Sequence, residues 1–176
     1  PLTTLGVELY GADLSGADWT GARLVRTRFA EANLRGAVLA GADATEADVH
    51  EADLTNANLR DANLTGAIFE RAVLHGADFA NAPLAGSNFM GTNLQGQNLA
   101  GLVLRGAYLD DADLAGADLK GADFSDASMI DVNLRGADLT DANFTGVDIR
   151  EANMKAAKTD GAKLENALCD ATGVAC

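Results

Sequence analysis

Twenty Asp or Asn residues fall at one position of a five-residue spacing, from Asp13 to Asn153. Such a row invites acid–base catalysis by neighbouring carboxylates, or cation binding by stacked ones. Asp and Asn alternate freely, however, as at Asp53, Asn58, Asn63 and Asp78. An amide cannot replace a carboxylate in proton transfer, whereas a short polar side chain that satisfies nearby turn backbone explains both types, so the row is read as structural. His50 and His75 are the only imidazoles, and neither has zinc-ligand spacing to Cys169 or Cys176. No G-x-x-x-x-G-K-[ST] or G-x-G-x-x-G string cradles a phosphate, and no Ser, His and carboxylate set supports nucleophilic catalysis. The sequons Asn63-Leu64-Thr65 and Asn143-Phe144-Thr145 are strings that the spacing generates by itself. Catalytic, cofactor and metal sites are therefore all read as none. The two cysteines have six residues between them, which allows a small disulfide-bounded loop or two free thiols.

The spacing that carries these residues runs without insertion or deletion through 33 units, centred on Leu9, Leu14, Trp19, Leu24, Phe29 and onward to Leu164 and Cys169. The centres include 19 Leu, all six Phe and the single Trp. Two residues before the centre, 25 of 33 positions are Ala; one before, 20 are Asp or Asn; two after, 17 are Gly. The consensus is A-(D/N)-L-x-G. A period of five matches neither the 3.6 of a helix nor the 2.0 of a strand, so neither element keeps the centres on one face. What remains is a path in which each unit points one large and one small side chain inward and then turns. The chain must coil on itself, with backbone pairing between coils at about the 4.8 Å strand spacing.

Composition narrows the class. Of 176 residues, 48% are hydrophobic and 22% charged, with 19 Gly against 2 Pro, which excludes a disordered chain and collagen. No long uncharged apolar run is present, so no membrane insertion is expected. The formal charge of -13 disfavours nucleic-acid phosphate as a direct partner and leaves a basic protein partner open. Pro1 in place of Met predicts that the native start lies upstream and that any targeting segment has been removed.

The runs Gly11 to Asp18, Glu51 to Leu59 and Asp111 to Leu119 closely resemble the pentapeptide-repeat family, whose consensus is A(D/N)LXX. The resemblance implies an all-β fold, a right-handed quadrilateral β-helix of four units per coil and about eight coils here. Residues 7–169 would form the helix, 1–6 an N-terminal cap and 170–176 a C-terminal cap. Folded at 20 residues, the sequence gives four interior columns, led by Leu9, Leu14, Trp19 and Leu24. The Leu14 column is almost pure leucine. The consensus frays from Met154 through Lys155, Ala156, Ala157, Lys158 and Thr159, and Ala162 to Asp170 is expected to form a short terminal helix. Cys169 sits where a core residue belongs, so a bond to Cys176 would fold the tail over the open end. That pairing is the preferred reading.

Function must then be written on the outer walls. The wall built on the Leu9 column carries Glu31, Glu51, Asp111, Asp131 and Glu151, interrupted by Arg71, and displays Tyr10, Ile68, Met90, Tyr108 and Ile130. Acids interleaved with apolar side chains mark this as the candidate face for a protein partner of unknown identity. The expected protein is a non-catalytic scaffold, monomeric or an end-to-end dimer, similar to members found in cyanobacteria and the thylakoid lumen, an oxidising compartment. The alternative is similarity to the topoisomerase-protecting, quinolone-resistance branch in the bacterial cytoplasm, where an acidic prism imitates DNA to bind gyrase.

Overall fold

The computed structural model describes residues 6–169, which form one continuous coil. Each unit folds by the same local rule. The carbonyl of the centre accepts the N–H three residues on, as Leu9 does from Ala12 at 3.1 Å. The third residue of this turn has positive φ at every fifth position from Gly6 to Asn166. Glycine enters that region freely, which is why the consensus places it there. Where it is replaced, the substitute is Asp, Asn, Glu or Arg, Ala156 excepted.

Four turns close a coil, so the residue before a centre typically pairs in parallel with the one twenty residues on, from Glu8 with Arg28 to Asp148 with Leu168. A unit typically makes three hydrogen bonds between coils, illustrated by Leu9 N–H to Arg28 (2.7 Å), Gly11 N–H to Ala30 (2.9 Å) and Arg28 N–H to Val7 (2.9 Å). The result is a four-sided β-solenoid whose straight segments are only long enough for isolated bridges. Among the described residues the ladder is interrupted between Asp78 and Asn98 and at Pro83, which bridges neither Asn63 nor Val103.

Inside, the centres and the small residues two positions earlier make one stacked core. All six Phe are at most 1% exposed. Burial of each large centre contributes about 1.5–3 kcal/mol before chain entropy is subtracted. Trp19 closes the early coils with its ring edge-on to Phe29, centroids 5.7 Å apart.

The expected terminal helix over Ala162 to Asp170 is not formed in the part the structure describes. Residues 161–169 continue the coil: Lys163 pairs with Asn143, Leu168 pairs with Asp148, and Gly161 and Asn166 keep positive φ. The unit needs only a small inward residue and a tolerated left-handed corner, and Ala162, Ala167, Gly161 and Asn166 supply both. Residues 1–5 of the N-terminal cap, the whole segment 170–176, and hence Cys176 of the proposed pair, lie outside the described residues.

Candidate partner-binding wall

The Asp/Asn row resolves as turn chemistry. Asp18 Oδ1 accepts the N–H of Thr20 at 2.9 Å and its hydroxyl at 2.6 Å, and Asn63 Oδ1 does the same for Thr65 at 3.2 and 2.8 Å. Coils are tied along the row as well: Asn33 Nδ2 donates to Asp13 Oδ1, and Asn143 Nδ2 to Asp123 Oδ1, each at 2.9 Å. These donors hold several carboxyls below their ordinary range. At Asp18 the Thr20 hydroxyl is the leading cause; at Asp53 burial pushes the carboxyl up, and hydrogen bonds from Thr55 and Arg35 more than offset it. The carboxylates are thus engaged as acceptors. His50 turns back on Asp48, Nδ1 to Oδ1 at 2.7 Å, while His75 lies on the Leu14 wall. Among the described residues no three His, Cys, Asp or Glu side chains group as metal ligands, and no helix is long and apolar enough to cross a membrane.

The nine partner-face residues share one wall. Tyr10 and Tyr108 are 61% and 52% exposed, and Met90 lies between them at 36%. Glu31, Glu51, Asp111, Asp131 and Glu151 are all exposed along a single corner; Ile130, like Ile68, is half-buried and offers only an edge. Glu31 accepts a hydrogen bond from the Tyr10 phenol and raises its pKa, so this pair joins the aromatic and acidic parts of the wall. Arg71 interrupts the corner and is itself flanked by Glu70 (3.4 Å) and Glu51 (3.6 Å).

The backbone sets this corner apart. From Gly11 to Glu151 it has six non-glycine residues in eight turn positions, all at positive φ, against two of eight on the Leu14 wall between Gly16 and Ala156. A left-handed non-glycine residue costs about 1–2 kcal/mol. Sequence reading missed Asp110, which accepts Ser128 Oγ (2.6 Å) and Ile130 N–H (2.8 Å) and so fixes the wall locally. It also missed exposed Leu168 near the same wall's far end, and exposed Val73 and Val103 on other walls. Their signal was an apolar residue where the consensus has Asp or Asn.

Known proteins agree with this architecture. The family model for pentapeptide repeats matches residues 8–43, 22–61, 52–91, 87–126 and 127–166. The chain is similar to HetL, a pentapeptide repeat protein involved in heterocyst differentiation regulation in the cyanobacterium Nostoc sp. strain PCC 7120, with 32% identity, 95% of this chain and 86% of that chain covered, and a TM-score of 0.51. QnrB1, a plasmid-mediated fluoroquinolone resistance protein, matches at 20% identity over 97% of this chain and 91% of its own with a TM-score of 0.71, a likeness of fold alone. A pentapeptide repeat protein of the Arabidopsis thaliana thylakoid lumen is 27% identical over 79% of this chain and 69% of its own, but its TM-score of 0.34 carries no argument. Curated protein sequences gave no match. The chain belongs to the pentapeptide-repeat family.

Proposed function

We propose that the protein is a non-catalytic scaffold that captures a protein partner on the Leu9 wall. The observation that carries this reading is the corner of Glu31, Glu51, Asp111, Asp131 and Glu151, whose acidic side chains occupy left-handed positions that glycine would fill without strain. Strain retained at exposed charged positions points to a use outside the fold. Tyr10, Met90 and Tyr108 supply the apolar anchors beside it, and Ile130 adds an edge. A basic surface with an apolar stripe is the complementary partner.

The right hand of the coil and a Cys169–Cys176 disulfide are part of the same reading. Cys169 is in phase and packs against the core, so a bond to Cys176 would hold the tail over the last coil. That pairing suits an oxidising compartment such as the thylakoid lumen. Mass measurement after alkylation without reductant tests it: two alkylated thiols in the native protein would end that assignment.

Charge reversal at Glu31, Glu51, Asp111 and Asp131 is expected to abolish capture of the partner from the native compartment while thermal unfolding stays cooperative. Undiminished capture would remove this wall from consideration. The formal charge of -13 favours a second reading, a DNA-like prism in the bacterial cytoplasm that shields gyrase. A supercoiling assay with a quinolone separates the two: protection of gyrase would promote the second.

A further inference from the structure

One region breaks the ladder that the rest of the prism keeps. On the Leu14 and Trp19 walls, the N–H groups of Gly76, Phe79 and Asn81 do not reach the next coil, while Val73 stays bridged to Asn93. On the facing lip, the N–H groups of Asn98 and Val103 find no backbone partner below, and neither Asn98 nor Val103 is bridged to that coil. The Leu9 wall stays closed, with Phe69 N–H to Asn88 at 2.7 Å and Gly91 N–H to Asp110 at 3.0 Å, and the Leu24 wall is held by Leu84 N–H to Val103 at 3.1 Å. The coils are therefore clasped on one side of the prism and parted on the other.

The cause lies in the sequence. In this coil the small inward residue is replaced four times running, by Ser87, Thr92, Gln97 and Leu102. Ser87 and Thr92 fit, because their hydroxyls turn back to the carbonyls of Leu84 (2.7 Å) and Phe89 (2.6 Å). Gln97 is too long for an alanine site, stays half-buried, and donates its amide across the gap to the carbonyl of Leu74. Pro83 adds to the break, since it has no N–H to donate. The gap opens as a cavity of about 470 Å³ at Leu74 and Gln97 on the Leu14 wall, and continues round the corner as another of about 360 Å³ through Asp78 and Asn98.

We propose that this seam is a binding slot for an extended peptide, whose main chain supplies the hydrogen bonds that the two coils do not make to each other. The unpaired groups are backbone donors and acceptors repeated along two strand edges, and the complement of a strand edge is another backbone. The mouth also selects. It is lined by Arg71, His75, Asn93, Gln95 and Gln97 with no carboxylate among its lining residues, in a chain with 26 acids. Arg71 is shared with Glu51 and Glu70 and Gln95 with Asp113, so the mouth is amide-rich with a single guanidinium, which two glutamates already flank. The fitting occupant is an extended segment of a partner protein with small side chains along the lips and one carboxylate at the mouth. The slot adjoins the acidic wall at Arg71 and Gly91, which line the mouth from that wall's corner.

A synthetic library of acetylated octapeptides, each with one Asp or Glu, is the probe, screened by fluorescence polarisation and followed by amide hydrogen exchange. A peptide that binds is expected to slow exchange at Gly76, Phe79, Asn81 and Asn98 at least tenfold at saturation. Gln97→Ala restores the consensus residue, so it is expected to slow the same amides without peptide and to weaken binding at least tenfold. N-methylation of the peptide backbone is expected to weaken binding likewise, and Arg71→Glu to remove the preference for a carboxylate. A library with no member that protects these amides, or full affinity in Gln97→Ala or in the N-methylated peptide, would overturn the proposal.

Discussion

Phe69 and Phe89 stack face to face inside the prism, one coil apart, with centroids separated by 4.7 Å and ring planes within 1°. The separation equals the strand spacing, so the pair transmits the coil repeat through the core at the level where the ladder is broken outside. Phe79 meets both rings edge-on, at 5.8 and 6.2 Å, which makes a three-ring cluster across the parted coils.

Phe89→Ala is therefore expected to cost about 3–5 kcal/mol, the range for a buried phenylalanine that leaves a cavity. The loss should exceed that for Phe144→Ala, whose partner Phe124 is stacked within a fully laddered stretch. Urea unfolding of both variants checks the order, and equal losses would show that the cluster adds nothing beyond burial.

Ala156 stands at φ 62° with its side chain exposed, so its methyl group gains no packing to offset the left-handed strain. Ala156→Gly should stabilise the protein by about 0.5–1 kcal/mol, the steric gain less the added freedom of the unfolded chain. The reverse experiment sits at Gly146, where φ is 71° and an added Cβ would lie 2.7 Å from Asp126 Oδ1. Gly146→Ala should destabilise by about 1–2 kcal/mol. Thermal unfolding of the two variants must move in opposite directions.

The repeat made most of the architecture legible, because a fixed phase dictates which side chains face inward. Every described centre from Trp19 to Ile149 is buried. The terminal helix was misread because Lys155 to Thr159 departs from the consensus in side-chain type, while the backbone needs only a small residue at Ala157 and a turn at Ala156. Thr159 is accordingly exposed yet still in register. The seam was not legible for another reason. Thr92 and Gln97 both break the alanine rule, and only the fit between two particular coils decides that one is absorbed and the other forces an opening.

Asp138 concentrates the charge-assisted contacts of the Trp19 wall. Its carboxylate accepts the Thr140 hydroxyl at 2.6 Å and lies 3.2 Å from Lys158 and 3.4 Å from Lys120. The Thr140 hydrogen bond, followed by burial that opposes it and the two lysines that reinforce it, leaves the carboxyl far below its ordinary value of 3.8. A group depressed on folding contributes stability that is whole above the unfolded value and is lost as pH falls through the folded one. Stability should thus decline below pH 3.8 more steeply in the natural protein than in Asp138→Asn. Relief of the overall negative charge is nearly the same in both, so the difference isolates Asp138. Urea titrations at stepped acid pH measure it, and parallel curves would refute the assignment.

Pro83 occupies the position where most units have Asp or Asn, and the carbonyl of Ala62 below it has no backbone donor. Its own carbonyl still accepts Leu64 N–H at 3.0 Å, so the ladder is broken in one direction only. Pro83→Asn would restore an N–H aimed at Ala62 and give Ala85 the turn acceptor that Asn98 gives Ala100 at 3.2 Å. A net backbone hydrogen bond contributes about 0.5–1.5 kcal/mol, and the lost rigidity of proline in the unfolded chain subtracts about 0.4–1 kcal/mol. The turn bond tips the balance toward a gain of about 0.5–1 kcal/mol. The same change should leave exchange at Gly76 and Asn98 fast, because those amides flank the Gln97 contact and not the proline. Slowed exchange there would mean that Pro83, at the edge of the parted region, holds the whole opening apart.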